Sequence, residues 1–146
     1  MKRILPGTLA ALLLAISASG GVVTKRFEWA PQNGVQILNW SENGITVKQI
    51  SFDTGTVVKP TRLSTARARV RVDNDSYVDV VPGVAVAIFD DQDHLVAAGD
   101  GGVKVGDLNK GARDEFTVTF AHVFRNIDHA NHFYVTVETN KEVKRS

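Results

Sequence analysis

The sequence predicts an all-β domain, an antiparallel β-sandwich of about seven strands. Three observations carry this. Several segments alternate apolar and polar residues, most clearly Ala66, Ala68, Val70 and Val72 against Arg67, Arg69 and Arg71, and period two is the spacing of a strand with one wet face. Turn residues recur at short intervals between those segments. No long segment carries the 3.6-residue apolar period of an amphipathic helix.

Residues 1–20 stand apart. Lys2 and Arg3 precede an apolar run from Ile4 to Ile16, then Ser17, Ala18, Ser19 and Gly20. A basic start, a short apolar centre and a small-residue exit make an export signal, with cleavage expected near Ala18 to Gly21. The run is shorter than the roughly 20 apolar residues that a membrane-crossing helix needs, and no second long apolar stretch follows, so no transmembrane segment is expected. The chain has no cysteine, which excludes an acylated lipoprotein and a disulfide framework. An exported domain held by its core alone fits a bacterial periplasmic or secreted protein. The whole chain has 17 Lys and Arg against 16 Asp and Glu; Lys2 and Arg3 leave with the signal, so 15 face 16, a net of −1. That balance argues against a nucleic-acid binder, whose affinity comes mainly from an electropositive surface.

Residues 21–34 read as an N-terminal arm. Lys25 and Arg26 precede Phe27 and Trp29, and Pro31, Asn33 and Gly34 mark a turn. Two aromatics in such an arm call for a docking place, either on the parent domain or on a partner. The sandwich itself spans 35–140. Val35 to Trp40 is its first strand, and Asn43-Gly44 is a tight hairpin turn. Ile45 to Phe52 follows, closed by Asp53-Thr54-Gly55, and Leu63 to Val72 is the alternating strand. Pro82-Gly83 opens Val84 to Phe89, apolar on both faces and expected at the centre of a sheet. Asp90, Asp91, Gln92 and Asp93 form an acidic turn into His94 to Ala98. Val103 to Val105 reads as a short edge strand, and Leu108 to Gly111 as a turn. Glu115 to Ala121 and Phe133 to Val137 alternate again, separated by a loop from His122 to His132 with room for one helical turn. Residues 141–146 are a polar tail. The expected core draws on Ile50 or Phe52, Ala68, Val70, Val72, Val84, Val86, Ile88, Phe116, Val118, Phe120, Phe133, Val135 and Val137.

Residues 66–121 carry a resemblance. A strand ending Val72-Asp73-Asn74 leads to Val84-Ala85-Val86-Ala87-Ile88-Phe89-Asp90, a polar turn and Leu95-Val96. Leu108-Asn109-Lys110-Gly111 and Glu115-Phe116-Thr117-Val118-Thr119-Phe120 follow. This order resembles the bacterial FxLYD-type immunoglobulin-like domains and covers about half of the exported part. Asp93 stands where a turn glycine is usual, Lys110 replaces the proline, and the Leu-Tyr pair is absent. The resemblance implies an Ig-like sandwich without catalytic residues, used as a binding or structural module.

Four groups of residues invite a chemical reading. Asp90, Asp91 and Asp93, with Asp100 nearby, offer the oxygen ligands that calcium prefers. Asp73, Asn74, Asp75 and Asp79 form a second such cluster at another turn. His122, His129 and His132 offer imidazoles for zinc or copper, although no His-Glu-x-x-His spacing occurs. Arg67, Arg69 and Arg71 form a positive ridge on one sheet face, suited to an acidic protein or glycan because the planar guanidinium pairs with carboxylate or phosphate. Enzyme chemistry finds little support. Ser64 and Ser76 lack a Gly-x-Ser-x-Gly elbow, and no phosphate-binding glycine loop is present.

The expected function is a non-enzymatic binding or structural module of the cell envelope or extracellular space. It would act by self-association through strand edges or the Phe27/Trp29 arm, or by recognising an acidic ligand with the Arg67/Arg69/Arg71 face. The alternatives are a calcium- or zinc/copper-binding periplasmic protein and a small secreted hydrolase.

Overall fold

The computed structural model of the chain describes residues 21–101 and 107–141. Ten strands run β1 (Gly21–Glu28), β2 (Val35–Glu42), β3 (Ile45–Asp53), β4 (Val57–Val58), β5 (Leu63–Ser64), β6 (Arg67–Asn74), β7 (Val80–Phe89), β8 (Leu95–Gly101), β9 (Arg113–Thr119) and β10 (His132–Lys141), with a 3-10 turn at Ile127–His129. Two four-stranded sheets, ordered β1-β10-β7-β8 and β2-β3-β6-β9, face one another, and β4 and β5 form a separate small hairpin. All pairings are antiparallel. The chain crosses between the two large sheets from β1 to β2, from β6 to β7, from β8 to β9 and from β9 to β10. Because β6 pairs with β9 and β7 with β10, the β6–β7 and β9–β10 crossings interlock. The architecture is a β-sandwich, built of two four-stranded sheets where about seven strands were expected.

The core follows the alternation. Ala66, Ala68, Val70 and Val72 are fully buried, and so are Ile88, Val118, Phe133 and Val135. Every expected core position is enclosed, with Ile50 buried and Phe52 packed at its margin. An aromatic cluster closes one region: Phe133 stacks on Phe27 at 5.5 Å between centroids and meets Phe52 edge-on at 5.4 Å, while Trp29 lies 4.4 Å from Phe52.

Local departures from the sequence reading have physical causes. The first part of the expected arm, residues 21–28, is β1, an edge strand in register with β10 from Gly21↔Thr139 to Glu28↔His132. Leu63 to Val72 is divided, because residues 63–64 belong to the small hairpin and β6 begins at Arg67. A bulge sits between Val47 and Gln49 on β3, opposite one between Ile37 and Trp40 on β2. An extra residue in a strand inverts its side-chain parity, and this is why odd-numbered Ile45 and Val47 and even-numbered Ile50 all reach the core. A third bulge on β8, between the pairs Ile88↔Ala97 and Phe89↔Leu95, buries Val96 and Ala97 together. The Asn43-Gly44 hairpin is as expected: both residues have positive φ, 51° and 79°, as a type I′ turn requires. Residues 1–20, the Val103 to Val105 strand and residues 142–146 of the tail lie outside the described residues.

The sheets meet closely along β8 and β9. A Cβ on Gly99 would lie 2.3 Å from the Thr119 carbonyl oxygen, so only glycine allows this approach. On the opposite side, edge strands β1 and β2 leave a cleft floored by Val23 and Trp40.

Candidate binding surfaces

The β6 arginines point from the outer face of the β2-β3-β6-β9 sheet. Successive same-face residues lie roughly 6–7 Å apart along a strand, so the ridge is regular. Register determines what flanks each arginine. Arg67 lies between Asp53 and Thr119, Arg69 between Ser51 and Thr117, and Arg71 between Gln49 and Glu115. Arg67 pairs with Asp53 at 3.4 Å and Arg71 with Glu115 at 3.5 Å, while Arg69 reaches Glu115 only at 4.0 Å. Three guanidinium groups therefore share two carboxylates. Such exposed pairs contribute at most about 1 kcal/mol each, and water or a ligand can compete for them. The end of the ridge is firmer. Arg113 donates to both oxygens of Asp73, at 2.6 and 3.1 Å. This hydrogen bond holds Asp73 below its ordinary pKa, assisted by the charges of Arg113, Lys48 and Arg71 against partial burial.

Phe27 and Trp29 are half-buried, and their rings pack within the domain. Trp29 contacts Phe52 and Phe133, and its backbone N–H donates to the Asn131 carbonyl at 2.9 Å. Of the two docking places considered for these aromatics, the parent domain is the one that they occupy.

The aspartate turn and the histidine loop meet at one end of the sandwich. Asp90 is buried. Its Oδ1 accepts the backbone N–H groups of Gln92 and His94 at 2.9 and 2.8 Å, and its Oδ2 faces Arg125 at 3.2 Å and His94 at 3.3 Å. Burial alone would push the carboxyl up, but those N–H donors and the nearby charges outweigh it, and Asp90 titrates below its ordinary value. Asp93 occupies the turn position with φ 60°, and it pairs with His132 at 3.0 Å. His132 is buried and stacks on Phe89 at 5.6 Å. Asp91, His122 and His129 are exposed. Among the described residues no three His, Asp or Glu side chains come together as a metal-ligand set. The two clusters read separately in the sequence thus become carboxylate-imidazole and carboxylate-guanidinium pairs.

The second acidic cluster is built around a polar clip. Asn74 is fully buried. Its Nδ2 donates to the carbonyls of Val78 and Leu108 at 2.8 and 2.9 Å, while its Oδ1 accepts from the Ser76 N–H and hydroxyl at 3.0 and 2.6 Å. Ser76 is thereby committed to the loop, and the Ser64 hydroxyl accepts the Ala66 N–H at 2.9 Å.

Sequence reasoning did not find a groove of about 520 Å³ between the β4–β5 hairpin and residues 123–126. Its walls come from segments some sixty residues apart, joined by the Val123 N–H to the Arg62 carbonyl at 3.2 Å and by the bridge Leu63↔His122.

No protein-family model matches the chain, and no curated protein matches it. No helix among the described residues is long and apolar enough to cross a membrane.

Proposed function

We propose that the chain is an exported, non-enzymatic binding module that captures an acidic protein or glycan on the outer face of the β2-β3-β6-β9 sheet. The basic start, apolar run and small-residue exit of residues 1–20, read as an export signal, support export. The likeness of residues 66–121 to FxLYD-type immunoglobulin-like domains, which implies a binding or structural role, supports the choice of class. The observation that carries the reading is Arg69. It stands at the middle of the ridge between uncharged Ser51 and Thr117, and its one ion-pair contact among the described residues is stretched to 4.0 Å. Its planar fork is free to take a ligand carboxylate or sulfate.

Self-association through the open edges has less support. Lys25 lies on the core-facing row of β1, paired with Val135, and holds its ammonium 5.5 Å from the Phe27 ring centroid. Asn39, at φ 45°, bulges β2. Inward-facing charges and bulges are devices that discourage edge pairing.

Polyglutamate and a sulfated glycan serve as probes of the full chain in low and high salt. The expected result is binding that weakens with salt and drops by roughly tenfold or more in Arg69→Glu. Salt-insensitive binding, or equal binding by the variant, would reject the proposal.

A further inference from the structure

We propose that the groove between the β4–β5 hairpin and residues 123–126 is a second binding site, for a small amphipathic anion: one carboxylate or phosphate head on a short acyl or aryl body. Its volume of about 520 Å³ lies within the roughly 300–1,000 Å³ of small-molecule sites. Lys59, Arg62 and Arg125 line it, and no carboxylate among the described residues does. Val57, Pro60 and Phe124 supply the apolar wall, and Phe124 is 48% exposed although it is a large hydrophobic residue.

The cations are positioned. Buried Asp90 grips one nitrogen of Arg125 from behind at 3.2 Å, leaving the rest of a guanidinium that carries five N–H donors. The Arg62 guanidinium donates to the Phe124 carbonyl, and its backbone sits at φ 57°. That conformation disfavours a bulky side chain, and here it places the guanidinium against the opposite wall of the groove. Lys59 has no ion-pair partner among the described residues, and it stands beside Pro60 at the rim. Of the three cations only Arg125 has a carboxylate partner, so the site keeps an uncompensated positive charge beside an exposed aromatic ring. An anion with an apolar body satisfies both halves. A purely apolar ligand would leave the cations desolvated and unpaired, which is unfavourable.

The test is an amide-resolved NMR titration of the full chain with decanoate, decan-1-ol and inorganic phosphate, repeated on Lys59→Glu and Phe124→Ser. Both substitutions fall on exposed side chains, so the fold is preserved. The expected result is decanoate-induced shifts at residues 57–62 and 123–126, with Kd raised roughly tenfold or more by either substitution. Decan-1-ol and phosphate should each bind at least about tenfold more weakly than decanoate. Absence of shifts in this region, or decanoate affinity unchanged by Lys59→Glu, would overturn the site. Equal affinity for decan-1-ol would overturn the role of the cations, and equal affinity for phosphate the role of the apolar wall. The outcome is independent of the β6 ridge, because Arg69→Glu should leave decanoate binding unchanged.

Discussion

Replacing Asn74 by aspartate changes one NH2 group to an oxygen and little else in shape. In the native domain that NH2 group donates to two carbonyls, Val78 at 2.8 Å and Leu108 at 2.9 Å, in a fully buried position. The aspartate cannot make both bonds. Ionised, it sets a charge against two carbonyl oxygens; protonated, it can donate to only one. The Leu108 carbonyl keeps the Val80 N–H and Val78 is exposed to water, so neither acceptor is orphaned. The two lost bonds remove about 1 kcal/mol each, and the substitution should destabilise by about 2 kcal/mol at neutral pH before the cost of burying the charge is added. A domain of this size is stable by only about 5–15 kcal/mol. With a urea slope of about 1–3 kcal/mol per molar, the unfolding midpoint should fall by about 1 M or more. The pH dependence distinguishes this account from a general packing defect. The introduced carboxyl has a folded pKa above its unfolded value of about 3.9. Its ionisation penalty is therefore absent below about pH 4 and grows as pH rises toward and through the folded value. Urea unfolding of the native chain, Asn74→Asp and Asn74→Ala near pH 4 and near pH 7 provides the assay. The loss in Asn74→Asp should widen with pH, while that in Asn74→Ala stays level. An unchanged midpoint, or a loss in Asn74→Asp equal at both pH values, would refute the clip.

Three further outcomes follow from the packing and the charges. Gly99→Ala should lower stability by about 1–3 kcal/mol, because overpacking forces backbone apart and the new Cβ would meet the Thr119 carbonyl at 2.3 Å; a thermal melt no lower than native would contradict the close seam. Asp90→Asn should destabilise at neutral pH, with the difference from native shrinking in acid. The depressed pKa of Asp90 makes its contribution fully present above the ordinary carboxylate value of about 3.9, and that contribution is lost as pH falls through the folded value. A difference that stays constant in acid unfolding would contradict this. Zinc or calcium at millimolar level should leave the melting temperature unchanged, since a ligand stabilises only by binding the folded state. A saturable rise would bring His122, His129 and the aspartates of the acidic turn back as ligands.

How much of this was legible in the sequence depended on distance along the chain. The core was legible because alternation is a local pattern, and the uninterrupted period from Ala66 to Val72 left one assignment. The hairpin at Asn43-Gly44 was legible for the same reason. Strand β1 was not, because Lys25 and Arg26 break its alternation, as they can at an edge that is wet on most sides. The bulge at Lys48 hid the parity of β3, which left Ile50 and Phe52 as alternatives when both contribute. The candidate sites depend on contacts between distant segments. The arginine ridge was visible because its members sit two residues apart, but the two carboxylates that partly neutralise it come from β3 and β9. The aspartate turn and the histidine loop both read as metal ligands in the sequence, and nothing local tells that Asp93 meets His132 or that Asp90 holds Arg125. Asn74 looked like any turn residue, since burial, which makes it a clip, is not a property of its neighbours. The groove of Lys59, Arg62 and Arg125 had no sequence signal beyond scattered basic residues.

The proposal that the β6 face captures an acidic partner is tested most directly by an amide-resolved titration of the full chain with polyglutamate at low ionic strength. The account predicts shifts centred on Arg69 and on its flanking residues Ser51 and Thr117, reversed by added salt and abolished in Arg69→Glu. Shifts confined to other surfaces, or none at all at low salt, would contradict it.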